Sequence, residues 1–164
     1  MGQQPAPQSI ADGKRHMSPN QEESLAKIRR DHDYMLLLIE RIMGECDQTG
    51  VLKNCNDCQP TRRHVCHGNI EQLIRSFIEA TLKHNFMESM YMEHFVPEAH
   101  RIAHNRAHME IAQQLTEIRV VFSEVGNCVM AIDGMDRVRQ TLLGHFKDYD
   151  HQLEAYLAVA ETKT

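Results

Sequence analysis

The sequence lacks tryptophan, and aromatic residues make up only 5% of its 164 residues. No run approaches the ~18 apolar residues that a membrane-spanning helix needs, so we expect no membrane partner. The N-terminus lacks an apolar signal core, which predicts a cytoplasmic protein. The formal charge is −5 without a basic stripe, so we also expect no nucleic-acid partner. In such a chain the five cysteines are predicted to be reduced thiols or metal ligands rather than a disulfide framework.

Rows of apolar residues at helical spacing predict four long helices, at about 19–45, 69–95, 97–125 and 135–160. Ser18 to Gln21 form a capping box before the first helix, and Asp133 is a candidate cap for the last. No strand pattern is present, so we predict an all-α fold, an up-down-up-down antiparallel four-helix bundle at residues 18–164. Residues 1–17 are predicted to form a flexible arm, and residues 46–66 a Cys-rich insertion between the first two helices.

Histidine is the abundant residue type, with 11 in the chain, and two pairs stand out. His84 lies four residues before Glu88, and His104 lies four before His108, so each pair shares one helix face. Both pairs continue apolar rows and are predicted to point into the core, where polar side chains need partners. Imidazole with carboxylate suits iron, with zinc and manganese as alternatives. His100 also lies four residues before His104, although the apolar row that follows favours His108.

The first and fourth helices add candidate ligands with weaker patterns. His32 is the one polar residue in an inward apolar row, where a single histidine is more often a hydrogen-bonded core residue. His145 and Asp150 lie five residues apart, or about 140° around an ideal helix. Geometry alone favours Asp148 as the partner of His145, so the spacing leaves this ligand open. A metal-free bundle with histidines in its core is the remaining alternative.

Taken in order, the four helices carry one His, then HxxxE, HxxxH and HxxxxD, and this pattern resembles the bacterial branch of the hemerythrin family. The segment RDHDYMLLLIERI around His32 is similar to that family's first helix, and Met92 follows Glu88 by four residues as in the family. The resemblance covers about residues 21–160. It implies a four-helix bundle with a non-haem diiron centre, bridged by an oxo or hydroxo group, that binds O2 reversibly.

The resemblance also implies a role for each residue, with Asp150 rather than Asp148 as the ligand on the fourth helix. One iron would be held by three histidines, His104, His108 and His145. The other would be held by two, His32 and His84, which leaves a position open for O2 or another small diatomic or peroxide ligand. Glu88 and Asp150 would bridge the two irons. We therefore expect an O2 carrier, store or sensor. The alternative is a diiron redox enzyme acting on peroxide, nitric oxide or iron.

Three residues depart from the family pattern near the expected ligand pocket. Asn85, Thr141 and Lys147 stand where the family has aromatic or apolar side chains. Polar residues at these positions predict a wetter pocket and faster oxidation of the site. Protein partners are not predicted by any feature of the sequence.

The insertion at residues 46–66 is not explained by the resemblance. It carries four cysteines, Cys46, Cys55, Cys58 and Cys66, and one histidine, His64, and His67 follows it directly. The Cys55-x2-Cys58 knuckle can present two thiolates to one zinc ion, with the other residues completing the site. A reversible dithiol and unligated thiols are the alternatives. Cys128, outside the insertion, is predicted to be a small buried hydrophobe.

Overall fold

The computed structural model describes residues 19–159, and within this range the chain is helical apart from its turns and loops. The predicted arm at 1–17, the Ser18 cap and the predicted helix end at 160 lie outside the described residues. The elements are α1 (Pro19–Gly44), a 3-10 turn (Cys55–Asp57), α2 (Pro60–Phe95), α3 (Glu98–Val125), α4 (Cys128–His145), a π turn (Phe146–Asp150) and α5 (His151–Val159). The one β-type pairing in the described range is an isolated bridge between Thr49 and Leu52. None of the helices there combines the length and the apolarity needed to cross a membrane.

Helix α2 begins nine residues earlier than the sequence predicted. It starts at Pro60, after Gln59, and proline is favoured at the first position of a helix because its fixed φ suits the first turn. The predicted insertion at 46–66 is therefore wrong at its C-terminal end, and the connector between α1 and α2 spans residues 45–59. As a consequence, His64, Cys66 and His67 lie on the first turns of α2 rather than in a loop.

Helix α4 also begins earlier than predicted, at Cys128 rather than at residue 135. Asn127 caps it, since the Asn127 side chain accepts the backbone N–H of Met130 at 3.2 Å. The proposed Asp133 cap is wrong, because Asp133 lies inside the helix. Gly126 ends α3, with φ of 62° in the left-handed region where glycine carries no Cβ penalty.

The fourth helical segment contains one π turn between α4 and α5. The backbone stays right-handed helical at Phe146 and His151, and the N–H of His151 bonds to the carbonyl of Phe146, five residues back. A π turn inserts one extra residue into a helix and is frequent at functional sites. It changes which side chains share a face, so residues five apart come to lie on the same side.

The helices pack in a closed set of contacts, α1 with α2, α2 with α3, α3 with α4, and α1 with α4 and α5. The core has two apolar clusters. The larger cluster contains residues from all four of the helices α1, α2, α3 and α4, among them Met35, Ile39, Phe77, Ile111 and Leu142. The smaller contains Leu25, Ile28, Met92, Leu153 and Leu157. On α1, on α2 and across the π turn from α4 to α5, the predicted ligands lie between the segments that supply the two clusters.

Candidate metal centre

The structure brings the seven predicted ligand residues together as two overlapping groups that share both carboxylates. The ligand atoms within each group lie within 4.8 Å of one another. The first group is Glu88, His104, His108, His145 and Asp150. The second is His32, His84, Glu88 and Asp150. Each group combines imidazole nitrogen with carboxylate oxygen, and together they can hold metal.

Glu88 divides its two carboxylate oxygens between the groups. Oε2 lies 3.2 Å from Nε2 of His104 and 3.1 Å from Nε2 of His108, both on α3. Oε1 lies 3.3 Å from Nε2 of His84, one turn earlier on α2. The carboxylate therefore faces both histidine sets at once.

Asp150 divides its oxygens in the same way. Oδ1 lies 2.9 Å from Nε2 of both His104 and His145. Oδ2 lies 2.9 Å from Nε2 of His32 and 3.9 Å from Nε2 of His84. The π turn makes this possible, because Asp150 follows His145 by five residues and still reaches the same point. Asp148, which ideal helical spacing favoured, is exposed to solvent.

Several of these N and O atoms lie close together but do not have the geometry of hydrogen bonds. Both oxygens of Asp150, Oε1 of Glu88 and Nε2 of His32 and His84 are buried without a hydrogen-bond partner, although N and O atoms lie nearby. Lone pairs that converge on a shared point, rather than on one another, are the arrangement of ligands around a metal ion. A buried carboxylate without hydrogen bonds costs several kcal/mol, and a cation between the groups offsets that cost. The residues present therefore fit a metal.

The electrostatics of the metal-free cluster also favour a cation. Burial lowers the pKa of His84 and His104, but the carboxylates of Asp150 and Glu88 outweigh burial and raise both values to about 9. Burial raises the pKa of Glu88 and Asp150, but the surrounding histidines outweigh it and hold both well below the usual range. Burial lowers the pKa of His108. Without metal, the two carboxylates thus retain protons on neighbouring imidazoles, and metal binding would release those protons.

A second layer of side chains contacts the histidines from outside. His100, the competing candidate for His108, does not join either group. Its Nε2 lies 3.4 Å from Nδ1 of His104, so His100 contacts the ring edge opposite the cluster. Tyr149 stacks on His145 with ring centroids 5.4 Å apart. Such partners fix the orientation of metal-ligating imidazoles. The sequence did not predict that His100 contacts the His104 ring, because its four-residue spacing from His104 is the spacing of two ligands of one metal.

The pocket residue beside His32 differs from the one expected. Phe146 stacks on the His32 ring, with centroids 3.7 Å apart and an angle of 17° between planes. Lys147 is exposed, so the polar contribution expected from it is wrong. Phe86 points into solvent with 69% of its surface exposed, while Asn85 is half-buried. The side of the cluster near His32 is therefore lined by an aromatic ring rather than by an ammonium group.

The predicted zinc residues of the insertion separate into two places. The four cysteines line one small cavity together with Cys128. His64 and His67 line a different pocket, and the His67 ring stacks on Phe122. Neither histidine lines the cysteine cavity, so a site of three thiolates and one imidazole stays a prediction that this arrangement does not support. Among residues 19–159, the two histidine and carboxylate groups are the metal-capable clusters already formed, and neither contains a cysteine.

No family model, curated protein or solved structure matches this chain. The interpretation of the cluster therefore depends on the geometry and chemistry of its own residues.

Proposed function

We propose that this protein is a hemerythrin-like, non-haem diiron protein that binds O2 inside an up-down-up-down four-helix bundle. The observation that carries the proposal is the division of the oxygens of Glu88 and Asp150 between two histidine groups. A carboxylate that serves one metal ion has no need to face a second set of imidazoles. Two shared carboxylates are what a pair of adjacent ions requires.

The helix order supports the bundle. Two residues, Val96 and Pro97, separate α2 from α3, and two more, Gly126 and Asn127, separate α3 from α4. Such short connections join antiparallel neighbours in helical bundles. The contact of α1 with both α2 and α4 closes the ring of four.

The two ions would have unequal protein ligands. His104, His108 and His145 would hold one ion, and His32 and His84 the other, with both carboxylates shared. The second ion would therefore have one protein ligand fewer, which leaves a position for an exogenous molecule. His32 is also the most exposed of the seven, with 12% of its side-chain surface accessible, so small molecules can reach the second ion from this side.

Two irons held by these residues would supply the electrons that reversible O2 binding needs, and the protein residues control the surroundings of the site. Glu88 and Asp150 bring two negative charges that favour oxidised iron. Phe146 stacks on the His32 ring and would reduce the access of water to the open position of the ion held by His32 and His84. The ligand class is O2 or another small diatomic or peroxide molecule, and a cytoplasmic location remains a prediction.

Reversible ligand binding is tested with iron-loaded, anaerobically reduced protein. We expect a visible absorption band to grow when O2 is admitted and to fade when O2 is removed, because the open position binds without consuming the ligand. The measurement is the optical spectrum through repeated cycles of O2 and argon. Irreversible bleaching with catalytic consumption of peroxide would contradict O2 binding and favour the redox-enzyme alternative.

Replacing Phe146 by Ala is expected to shorten the lifetime of the O2-dependent absorption about tenfold, because water then reaches the open side. The matched control is Lys147→Ala at the next residue. Lys147 is exposed, so its removal is expected to leave the lifetime within about twofold of the parent. The decay rate of the absorption band after O2 admission measures both. Equal effects of the two substitutions would show that Phe146 does not protect the site.

A further inference from the structure

All five cysteines of the chain converge at one end of the molecule, although they come from four separate segments. They are Cys46 after α1, Cys55 and Cys58 at the 3-10 turn, Cys66 on α2, and Cys128 at the start of α4. All five are free thiols, and together they line one cavity of about 10 Å³. A space of that volume accommodates a single water molecule or an ion, and no organic ligand. The O2 site proposed above uses none of these residues.

The 3-10 turn places two of the thiols side by side. Cys55 opens the 3-10 turn and Cys58 is its C-terminal cap, and both residues line the same cavity. The turn is closed by a hydrogen bond from the N–H of Cys58 to the carbonyl of Cys55, at 3.2 Å. It begins at Asn54, whose side chain accepts the N–H of Asn56. A Cys-x2-Cys pair held in this way is the half-site from which four-thiolate zinc sites are built.

The two remaining thiols come from the start of the connector, Cys46, and from the first turns of α2, Cys66. The Cys66 thiol donates to the carbonyl of Glu45 at 3.6 Å, which brings the start of α2 beside the end of α1. Cys46 follows Glu45 directly and packs, like Cys66, against the larger core cluster. Burial and the neighbouring Cys46 sulfur raise the pKa of Cys66, which is therefore a neutral thiol in the metal-free protein.

Cys128 has a supporting role through its backbone. Its N–H donates to Sγ of Cys55 at 3.2 Å, which is the contact that stabilises a metal-bound thiolate. Its own thiol is 1% exposed, and burial together with Cys55 raises its pKa to about 12. It therefore makes a poor ligand, while its N–H remains available to Cys55.

We propose that Cys46, Cys55, Cys58 and Cys66 form a tetrahedral four-thiolate site for one zinc ion. Binding releases four thiol protons and leaves the site with a net charge of −2. Arg62, which pairs with Asp47, and Arg63 line the same cavity and bring positive charge to its wall. In the metal-free protein, no three of these sulfurs lie within 4.8 Å of one another. Zinc must therefore draw them together, and the connector at 45–59 must contract around the ion.

The connector has few other reasons to be ordered. Of residues 45–59, Cys55 alone has a buried side chain, and Val51 is 74% exposed. Metal binding contributes directly to the folding free energy of such a segment. We therefore expect zinc to slow the backbone hydrogen exchange of the connector at least tenfold, without a comparable change in α3.

The site is tested by titrating iron-loaded protein with Zn²⁺ and with Cd²⁺, whose thiolate complexes absorb in the ultraviolet. We expect about one equivalent of zinc, and a thiolate-to-Cd²⁺ band that saturates at the same ratio. Cys58→Ser and Cys66→Ser are each expected to weaken binding at least a hundredfold. Cys128→Ala is the matched control, because it removes a sulfur from the same cavity but keeps the N–H. It is expected to retain the full equivalent within about threefold of the parent affinity.

Three results would overturn the zinc site. One is the absence of any cysteine-dependent equivalent, with the four thiols alkylating freely. Another is a loss of binding in Cys128→Ala equal to that in Cys58→Ser. The third is the loss of two thiols to hydrogen peroxide, restored by reductant, in protein that takes up no zinc, which would indicate a dithiol instead. Protein with Glu88→Gln separates this site from the iron site, since it must keep the zinc equivalent while its iron content falls.

Discussion

Replacing Glu88 by Gln is expected to reduce bound iron from about two ions per chain to fewer than one. The substitution keeps the size of the side chain but removes the negative charge that faces both histidine groups. One amide oxygen cannot replace two carboxylate oxygens that lie within 3.3 Å of three different imidazoles. Iron per chain, measured after anaerobic reconstitution and desalting, gives the result.

The matched control for this substitution is Glu93→Gln. Glu93 lies on the same helix and is exposed to solvent, so it is expected to leave the iron content unchanged. Far-ultraviolet circular dichroism of both variants checks that α2 remains folded. A Glu88→Gln protein that is folded and still binds two irons would show that the carboxylate does not join the ions.

The second large effect is expected from the π turn. Asp150→Asn should also reduce bound iron below about one per chain, because Asp150 supplies oxygens to both groups. Asp148→Asn, in the same turn, should leave iron unchanged because its side chain faces solvent. Comparing the two variants shows whether the ligand lies five residues after His145, as the π turn places it, or three residues after, as a regular helix would.

Iron content and thermal unfolding of the two aspartate variants provide the comparison. Metal-loaded Asp148→Asn is expected to unfold at the temperature of the parent, whereas Asp150→Asn loses the stabilisation that bound metal confers. If Asp148→Asn lost iron and Asp150→Asn did not, the fourth helix would be regular in solution and its ligand would be Asp148.

The sequence was sufficient for the all-helical fold and for those ligands that obey the regular helical period. His84 with Glu88 and His104 with His108 are four residues apart on uninterrupted helices, so spacing alone placed each pair on one inward face. The carboxylate ligand on the fourth helix could not be placed by spacing. Spacing favoured Asp148, and only the family resemblance indicated Asp150, because a π turn is a local departure that apolar periodicity does not encode.

The pocket residue beside His32, Phe146, also belongs to this π turn. An offset of one residue decides whether Phe146 or Lys147 faces the first helix, and the structure places the aromatic ring there. The start of α2 was missed for another reason. Its first two turns expose charged and polar side chains and have no apolar row, so Pro60 is the main local signal.

Cys128 could not be connected to the insertion from the sequence. It lies 73 residues from Cys55 along the chain, and the contact between them arises when the start of α4 packs against the 3-10 turn. The early start of α2 also explains why the cysteines and the two histidines line different pockets. Because His64 and His67 are helical, they project toward a different pocket from Cys66 on the same helix.

The central claim is that two adjacent iron ions occupy one buried cluster, and iron stoichiometry tests it most directly. Parent protein reconstituted with excess Fe²⁺ under anaerobic conditions, then desalted, is predicted to retain about two irons per chain. After exposure to air, the same sample is predicted to show near-ultraviolet charge-transfer absorption that scales with the second iron. Retention of no more than one iron per chain at saturation would contradict the presence of two adjacent iron ions.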